Sequence, residues 1–211
     1  MSLIKLVNTN KKQELVKSLQ NGSDVNQKDD KGQSCLYHAC QQNLTDIILI
    51  LLNNNINLNN NSSPSQQQHQ KVNIIDVNSQ DQKGLTALHT ACYYGQHKAV
   101  AILLQDYRVD PNMQTYDGWT PLAFACYWGY TEIVKMFLCY QRVVCLRTKT
   151  LKESNKIKPG STALTIAQHF GYKQIENFIQ EYIKNKKQAV FQMSQSLKIE
   201  PNSKGKKKKK K

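Results

Sequence analysis

A few side chains have the type and spacing that chemistry would need. Cys35-x-x-His38-x-Cys40 puts two thiols and an imidazole in one short stretch, and these are zinc-ligating groups. A structural zinc site needs four converging ligands, and Cys40 also has a simpler reading as a small buried filler. Cys139 and Cys145 stand near basic residues that would favour a thiolate. His89 is a candidate for proton transfer or for a structural hydrogen bond. Phosphate-binding Gly loops, the dinucleotide fingerprint, the nucleophile elbow and the zinc-protease helix pattern are not found. Acidic residues are scattered without an evident catalytic pair. No residue therefore takes a catalytic or cofactor-binding role in this reading, and no metal or cofactor is expected.

The elements that hold these residues repeat along the chain. Gly32-Gln33-Ser34-Cys35-Leu36-Tyr37-His38-Ala39 aligns without gaps on Gly84-Leu85-Thr86-Ala87-Leu88-His89-Thr90-Ala91. It also aligns on Gly118-Trp119-Thr120-Pro121-Leu122-Ala123-Phe124-Ala125 and on Gly160-Ser161-Thr162-Ala163-Leu164-Thr165-Ile166-Ala167. Four residues after each Ala stands Asn43, Gly95, Gly129 or Gly171, followed by an apolar segment. Ser or Thr two places after the Gly suits a helix N-cap, and Pro121 suits a first helical turn. Gly95, Gly129 and Gly171 suit the left-handed geometry that ends a helix, and Asn43 tolerates it. Each helix pair buries too little to fold alone, so the units must stack.

The chain resembles the ankyrin repeat family, whose signature is T-P-L-H-x-A at a period of ~33 residues. Thr86-Ala87-Leu88-His89-Thr90-Ala91 and Thr120-Pro121-Leu122 carry the likeness best. The family's Asp-Val-Asn linker stands at Asp24-Val25-Asn26 and Asp76-Val77-Asn78, with Asp110-Pro111-Asn112 as a variant. The resemblance covers residues 1–183. It implies an all-α ankyrin-repeat solenoid of helix-turn-helix units with short β-hairpin fingers, followed by a disordered basic C-terminal tail at 184–211. An N-terminal cap occupies 1–28, and repeats start near 30, 82, 116 and 158. In this family the His at position 89 fixes the hairpin by hydrogen bonding. Tyr37, Ala123 and Thr165 hold the matching places, which argues against a shared catalytic role.

The spacing between glycines locates two insertions. Gly32 to Gly84 is longer than the ~33-residue unit by roughly 19, and Gly118 to Gly160 by roughly 9. The first surplus is an Asn/Gln/Ser tract at 53–73, expected to be a disordered loop. The second lies in a finger at 140–159, which carries Arg142, Arg147, Lys149, Lys152, Lys156 and Lys158 against Glu153.

Partner-facing residues in ankyrin proteins flank the hairpin Gly and precede the helix-ending residue. Transferred to this chain, the resemblance implies Lys83, Leu85, Tyr93, Tyr94, Tyr116, Trp119, Tyr127, Trp128, His169 and Phe170 as the protein-binding set. Lys31, Gln33, Asp117, Gln41 and Gln42 hold equivalent places. Both Trp and four of the ten Tyr fall here, and such rings bury much area with few rotatable bonds. An aromatic strip is therefore expected, with Arg142, Arg147, Lys149 and Lys152 as a basic edge beside it. Together they fit a partner segment with hydrophobic anchors and flanking acids. The competing reading is that these rings pack between repeats.

The charge is lopsided: 29 basic and 15 acidic residues give +14 over 211 residues. Residues 184–211 hold 11 Lys against Glu200, so most of the excess lies in the tail. Lys204, Lys206, Lys207, Lys208, Lys209, Lys210 and Lys211 form its basic run. Nuclear import, anionic-membrane attraction and nucleic-acid contact are the functional options for such a run. The longest aliphatic run, 47–52, is far short of the ~20 residues a membrane span needs. No secretory leader is visible, so an intracellular protein with reduced cysteines is expected, cytoplasmic or nuclear and monomeric on its own. The expected function is noncatalytic capture of a partner protein on a rigid concave face. The alternative is a polyanion-binding adaptor acting through the Lys-rich tail.

Overall fold

The structure, a computed structural model, describes residues 2–57, 74–140, 144–153 and 157–185. Ten helices follow one another among them: α1 (Leu3–Asn8), α2 (Lys12–Gln20), α3 (Cys35–Gln41), α4 (Thr45–Asn57), α5 (Ala87–Tyr93), α6 (His97–Gln105), α7 (Pro121–Trp128), α8 (Thr131–Cys139), α9 (Ala163–His169) and α10 (Lys173–Lys184). They form five antiparallel pairs in two rows. The inner row runs α1, α3, α5, α7, α9, and the outer row runs α2, α4, α6, α8, α10.

The inner helices start where the sequence places a hydroxyl. Ser34, Thr86, Thr120 and Thr162 are extended N-caps, and each side chain accepts an N–H from the first turn. Those donors have no intrahelical partner, so each cap contributes about 1 kcal/mol. Asn43, Gly95, Gly129 and Gly171 all lie at positive φ, between 56° and 72°, and reverse the chain into the outer helix.

Gly95 and Gly129 have a second reason to lack a side chain. A Cβ on Gly95 would stand 2.7 Å from the Tyr130 ring, and one on Gly129 2.8 Å from the Tyr172 ring. Each Gly seats a tyrosine of the next repeat. Asn43 breaks the series, and the residue that would be its tyrosine is Gln96. Gln96 Nε2 donates to the Gln41 carbonyl oxygen at 2.9 Å, and Asn43 Oδ1 accepts from Ala99 N–H at 3.3 Å.

A helix of seven residues is under two turns and would not persist alone in water. Stacking supplies what is missing. Leu36, Leu88 and Leu122 repeat at one inner position and are buried between rows with Ile47, Leu51, Leu103, Ile133 and Phe137. Their counterpart in the last described pair, Leu164, is only half-buried, with no further unit over it among the described residues. The end is closed instead by polar substitution. Gln168 and Gln180 donate to Glu176, which also pairs with Lys173.

The fingers differ from the expected β-hairpins. Among the described residues only an isolated antiparallel bridge, Lys28 to Ser34, is present, with no strand. Side chains take the place of a second ladder rung. Asp29 Oδ1 accepts from Gln33 N–H and Asp81 Oδ1 from Leu85 N–H, each at 2.8 Å. Thr115 Oγ1 accepts from Trp119 N–H and Thr150 Oγ1 from Ser161 N–H. Successive tips are joined by backbone bonds from Gln82 N–H to the Lys31 oxygen, Tyr116 N–H to the Lys83 oxygen, and Leu151 N–H to the Asp117 oxygen.

The same bonds locate the later insertion. Thr150 N–H donates to the Ser161 oxygen and Gly160 N–H to the Thr150 oxygen, as Thr115 does with Trp119 and Gly118. Residues 151–159 thus replace the two-residue tip at 116–117. In the earlier insertion, α4 runs on to Asn57. Residues 58–73, Arg142, Lys156 and residues 186–211 lie outside the described residues, and the last span includes Lys204 and Lys206 through Lys211.

Candidate protein-binding face

Repetition aligns side chains into columns along the inner helices. The columns just before the helix-ending residues read Gln41, Tyr93, Tyr127, His169 and Gln42, Tyr94, Trp128, Phe170. Neighbouring columns and repeats bring these rings into edge-to-face contact. Tyr94 meets Tyr93 at 5.1 Å between centroids, Tyr93 meets Trp128 at 5.4 Å, and Trp128 meets Tyr127 at 5.1 Å. Tyr127 then meets Phe170, and Phe170 meets His169, both at 4.9 Å. Six rings form one continuous chain from α5 to α9. Edge-to-face pairs of this kind contribute about 0.5–1.5 kcal/mol each beyond area burial, which favours a preset surface.

The strip is open to solvent along much of its length. Tyr93, Tyr94 and Trp128 are 38%, 47% and 42% exposed. His169 is exposed, and Tyr127, Phe170 and Leu85 are half-buried. Tyr116 and Lys83 are exposed on the adjoining tips. Tyr116 lies over Gly84, where a Cβ would stand 2.7 Å from its backbone nitrogen.

Trp119 departs from the expectation. It is 3% exposed, stacked on Phe124 at 5.0 Å with 19° between planes, and edge-on to Tyr127 at 5.7 Å. Its backbone is held by Thr115, and its carbonyl oxygen accepts from His89 Nε2 at 3.0 Å. A tryptophan this deep offers a partner little area, so it is a floor under the strip and not an anchor. Phe124, Tyr37 and Thr90, absent from the expected set, line the same face. The signal for Thr90 and Phe124 was the column four places after each N-cap, which reads His38, Thr90, Phe124, Ile166, and Tyr37 stands one place earlier, in the column of His89, Ala123 and Thr165.

A recess of about 250 Å³ opens on this face, lined by Tyr37, Lys83, Leu85, Thr90, Tyr93, Tyr94 and Phe124. In the lengthened finger, Arg147, Lys149 and Lys152 are exposed, and Lys152 Nζ pairs with Asp117 at 3.0 Å.

The residues first considered for chemistry have structural surroundings. Cys35, Cys40, Cys92 and Cys126 are fully buried, and burial pushes the Cys35 thiol up to about 12 and raises the other three well above the ordinary thiol value. Burial raises Cys139 to about 11. Cys145 is exposed, and its thiol is lowered by hydrogen bonds from Thr148 and the Arg147 backbone N–H. His38 Nε2 lies 3.0 Å from Asp29 Oδ2. Burial works to raise the Asp29 carboxyl, but the N–H groups of Gln33 and Lys31 and the His38 ring bring it below its ordinary value. Among the described residues no cluster of His, Cys, Asp and Glu is arranged to hold a metal ion. Nor is any helix among them long and apolar enough to cross a membrane.

His89 is wholly buried. Nδ1 accepts from Thr86 N–H at 3.1 Å, which leaves Nε2–H to donate to Trp119 in the next repeat. Burial lowers its pKa to about 4, so the ring is neutral at pH 7 and ties two units together.

Residues 3–70 and 65–149 match the family model described as Ankyrin repeats (3 copies). No curated protein matches the chain.

Proposed function

The chain belongs to the ankyrin repeat family, whose arrays are generally protein–protein interaction modules, and from that premise we propose that it captures a partner protein on its aromatic strip. The observation that carries this reading is the six-ring chain from Tyr94 to His169. Its outer members are exposed, while Trp119 and Phe124 support it from beneath. A preset surface loses little conformational freedom on association, so a few rings can supply most of the affinity. The function is noncatalytic binding, and the exposed Arg147, Lys149 and Lys152 favour acidic flanks in the partner.

The test compares affinity capture by the wild type and by the Tyr94→Ala/Trp128→Ala double variant. Both side chains are exposed, so helical circular dichroism should be unchanged while partner retention falls by tenfold or more. Equal retention by the two proteins would remove the strip from the account. The Lys-rich tail supports the second reading through composition alone, since residues 184–211 carry 11 Lys against one acid. On that reading a salt-sensitive polyanion contact resides in the tail.

A further inference from the structure

The recess over α5, between α3 of the second helix pair and α7 of the fourth, has a division of chemistry that points to one kind of ligand. Its lining mixes ring faces and aliphatic carbon with polar atoms: Tyr37 and Phe124 are almost fully buried, Leu85 is half-buried, Tyr93 and Tyr94 are exposed, and Thr90 and Lys83 complete it. The polar groups of the floor are already engaged. The Thr90 hydroxyl donates to the Thr86 carbonyl oxygen at 3.2 Å, and the Tyr37 hydroxyl is hydrogen-bonded to Thr90. A polar group pushed to the bottom would lose water without gaining a partner, whereas an apolar side chain loses nothing.

The rim is different. Lys83 Nζ makes no ion pair among the described residues, and the Oδ1 of neighbouring Asp81 is occupied by the N–H groups of Lys83 and Leu85. The Tyr94 oxygen accepts from Gln41 Nε2 at 3.0 Å, which leaves its own proton to donate. The rim thus presents an ammonium and a hydroxyl proton, both donors, above an apolar floor.

We propose that this recess receives a large apolar side chain of an extended acidic segment of the partner, with Lys83 and the Tyr94 hydroxyl holding the adjacent carboxylate. The proposal rests on the strip as the binding face. The strip continues from Tyr93 through Trp128 to Phe170, so a segment that runs on past the recess covers it, and an acidic side chain inside that segment supplies the carboxylate better than a chain terminus would.

The experiment uses the full chain and short synthetic peptides with Gly-Ser arms around Glu-Phe-Glu, Gln-Phe-Gln, Lys-Phe-Lys or Glu-Ala-Glu, read by fluorescence anisotropy. Glu-Phe-Glu should bind tenfold or more tighter than each of the others, and Lys83→Glu should invert the order of Glu-Phe-Glu and Lys-Phe-Lys. Lys83 is exposed, so the variant keeps its fold, and circular dichroism verifies this. Charge-blind binding, an order unchanged by Lys83→Glu, or no binding by any peptide would overturn the proposal. So would stronger binding by a peptide ending in a free Phe carboxylate. Should it fail while Tyr94→Ala/Trp128→Ala still abolishes partner capture, the recess falls and the strip stands. Failure of both removes the strip as well.

Discussion

His89 holds two repeats together through both ring nitrogens, so its removal should be felt as lost stability. His89→Ala would leave the Thr86 N–H buried without a partner and take from the Trp119 carbonyl oxygen one of its two donors, the other being Thr115 N–H, and should cost about 2–4 kcal/mol in denaturant unfolding. The same burial predicts a pH dependence. The folded ring has a pKa of about 4, below the ~6.5 of an unfolded histidine. The unfolded chain therefore binds a proton that the folded chain refuses. The stability His89 contributes is fully present above pH 6.5 and is lost as the pH falls toward 4, by roughly 3 kcal/mol in all. His89→Ala should flatten the urea-midpoint profile across that window, and an unchanged profile would refute the assignment. Thiol chemistry separates the cysteines in the same way. Cys145 should react at once with an aromatic disulfide reagent, while the five buried thiols react only on unfolding. The zinc-like grouping at Cys35, His38 and Cys40 is accounted for by packing and by the Asp29 contact.

At the scale of the helix, most of what positions the face is written in short local rules. Ser34, Thr86, Thr120 and Thr162 cap where a hydroxyl before an apolar run says they should, and Asn43 takes the left-handed turn of its glycine counterparts. Local rules do not say how far a ring reaches. Trp119 shares a column with Gln33, Leu85 and Ser161, all half-buried. Only its size, and the presence of Phe124 to stack upon, carry it down into the floor. The seats of Tyr130 and Tyr172 on Gly95 and Gly129 were likewise hidden, because they join residues of different repeats that no single-repeat pattern compares. This gives a paired prediction. Gly129→Ala should destabilise by more than the roughly 1 kcal/mol expected for a strained turn alone, and Tyr172→Ala in the same chain should recover part of the loss. Additive costs in the double-mutant cycle would deny the contact. Trp119→Ala should cost about 3–5 kcal/mol in stability, and Trp128→Ala under about 1 kcal/mol.

Over the described residues, ten short helices share one continuous core. Glu176, Gln180 and Gln168 close the last described pair, and among the described residues nothing stands over Gly171 where a tyrosine covers Gly95 and Gly129. The separation of array and tail makes the two functional readings distinguishable. Deleting residues 186–211 should leave partner capture intact and remove salt-sensitive retention on heparin, and loss of partner capture would shift the function to the tail. The central claim concerns the face of the array that meets another protein. A photo-crosslinking amino acid placed at Tyr94, and in a second protein at Lys98 on the outer helix α6, reads this directly. Discrete adducts should form from position 94 and not from position 98. Adducts from position 98 alone would contradict the account.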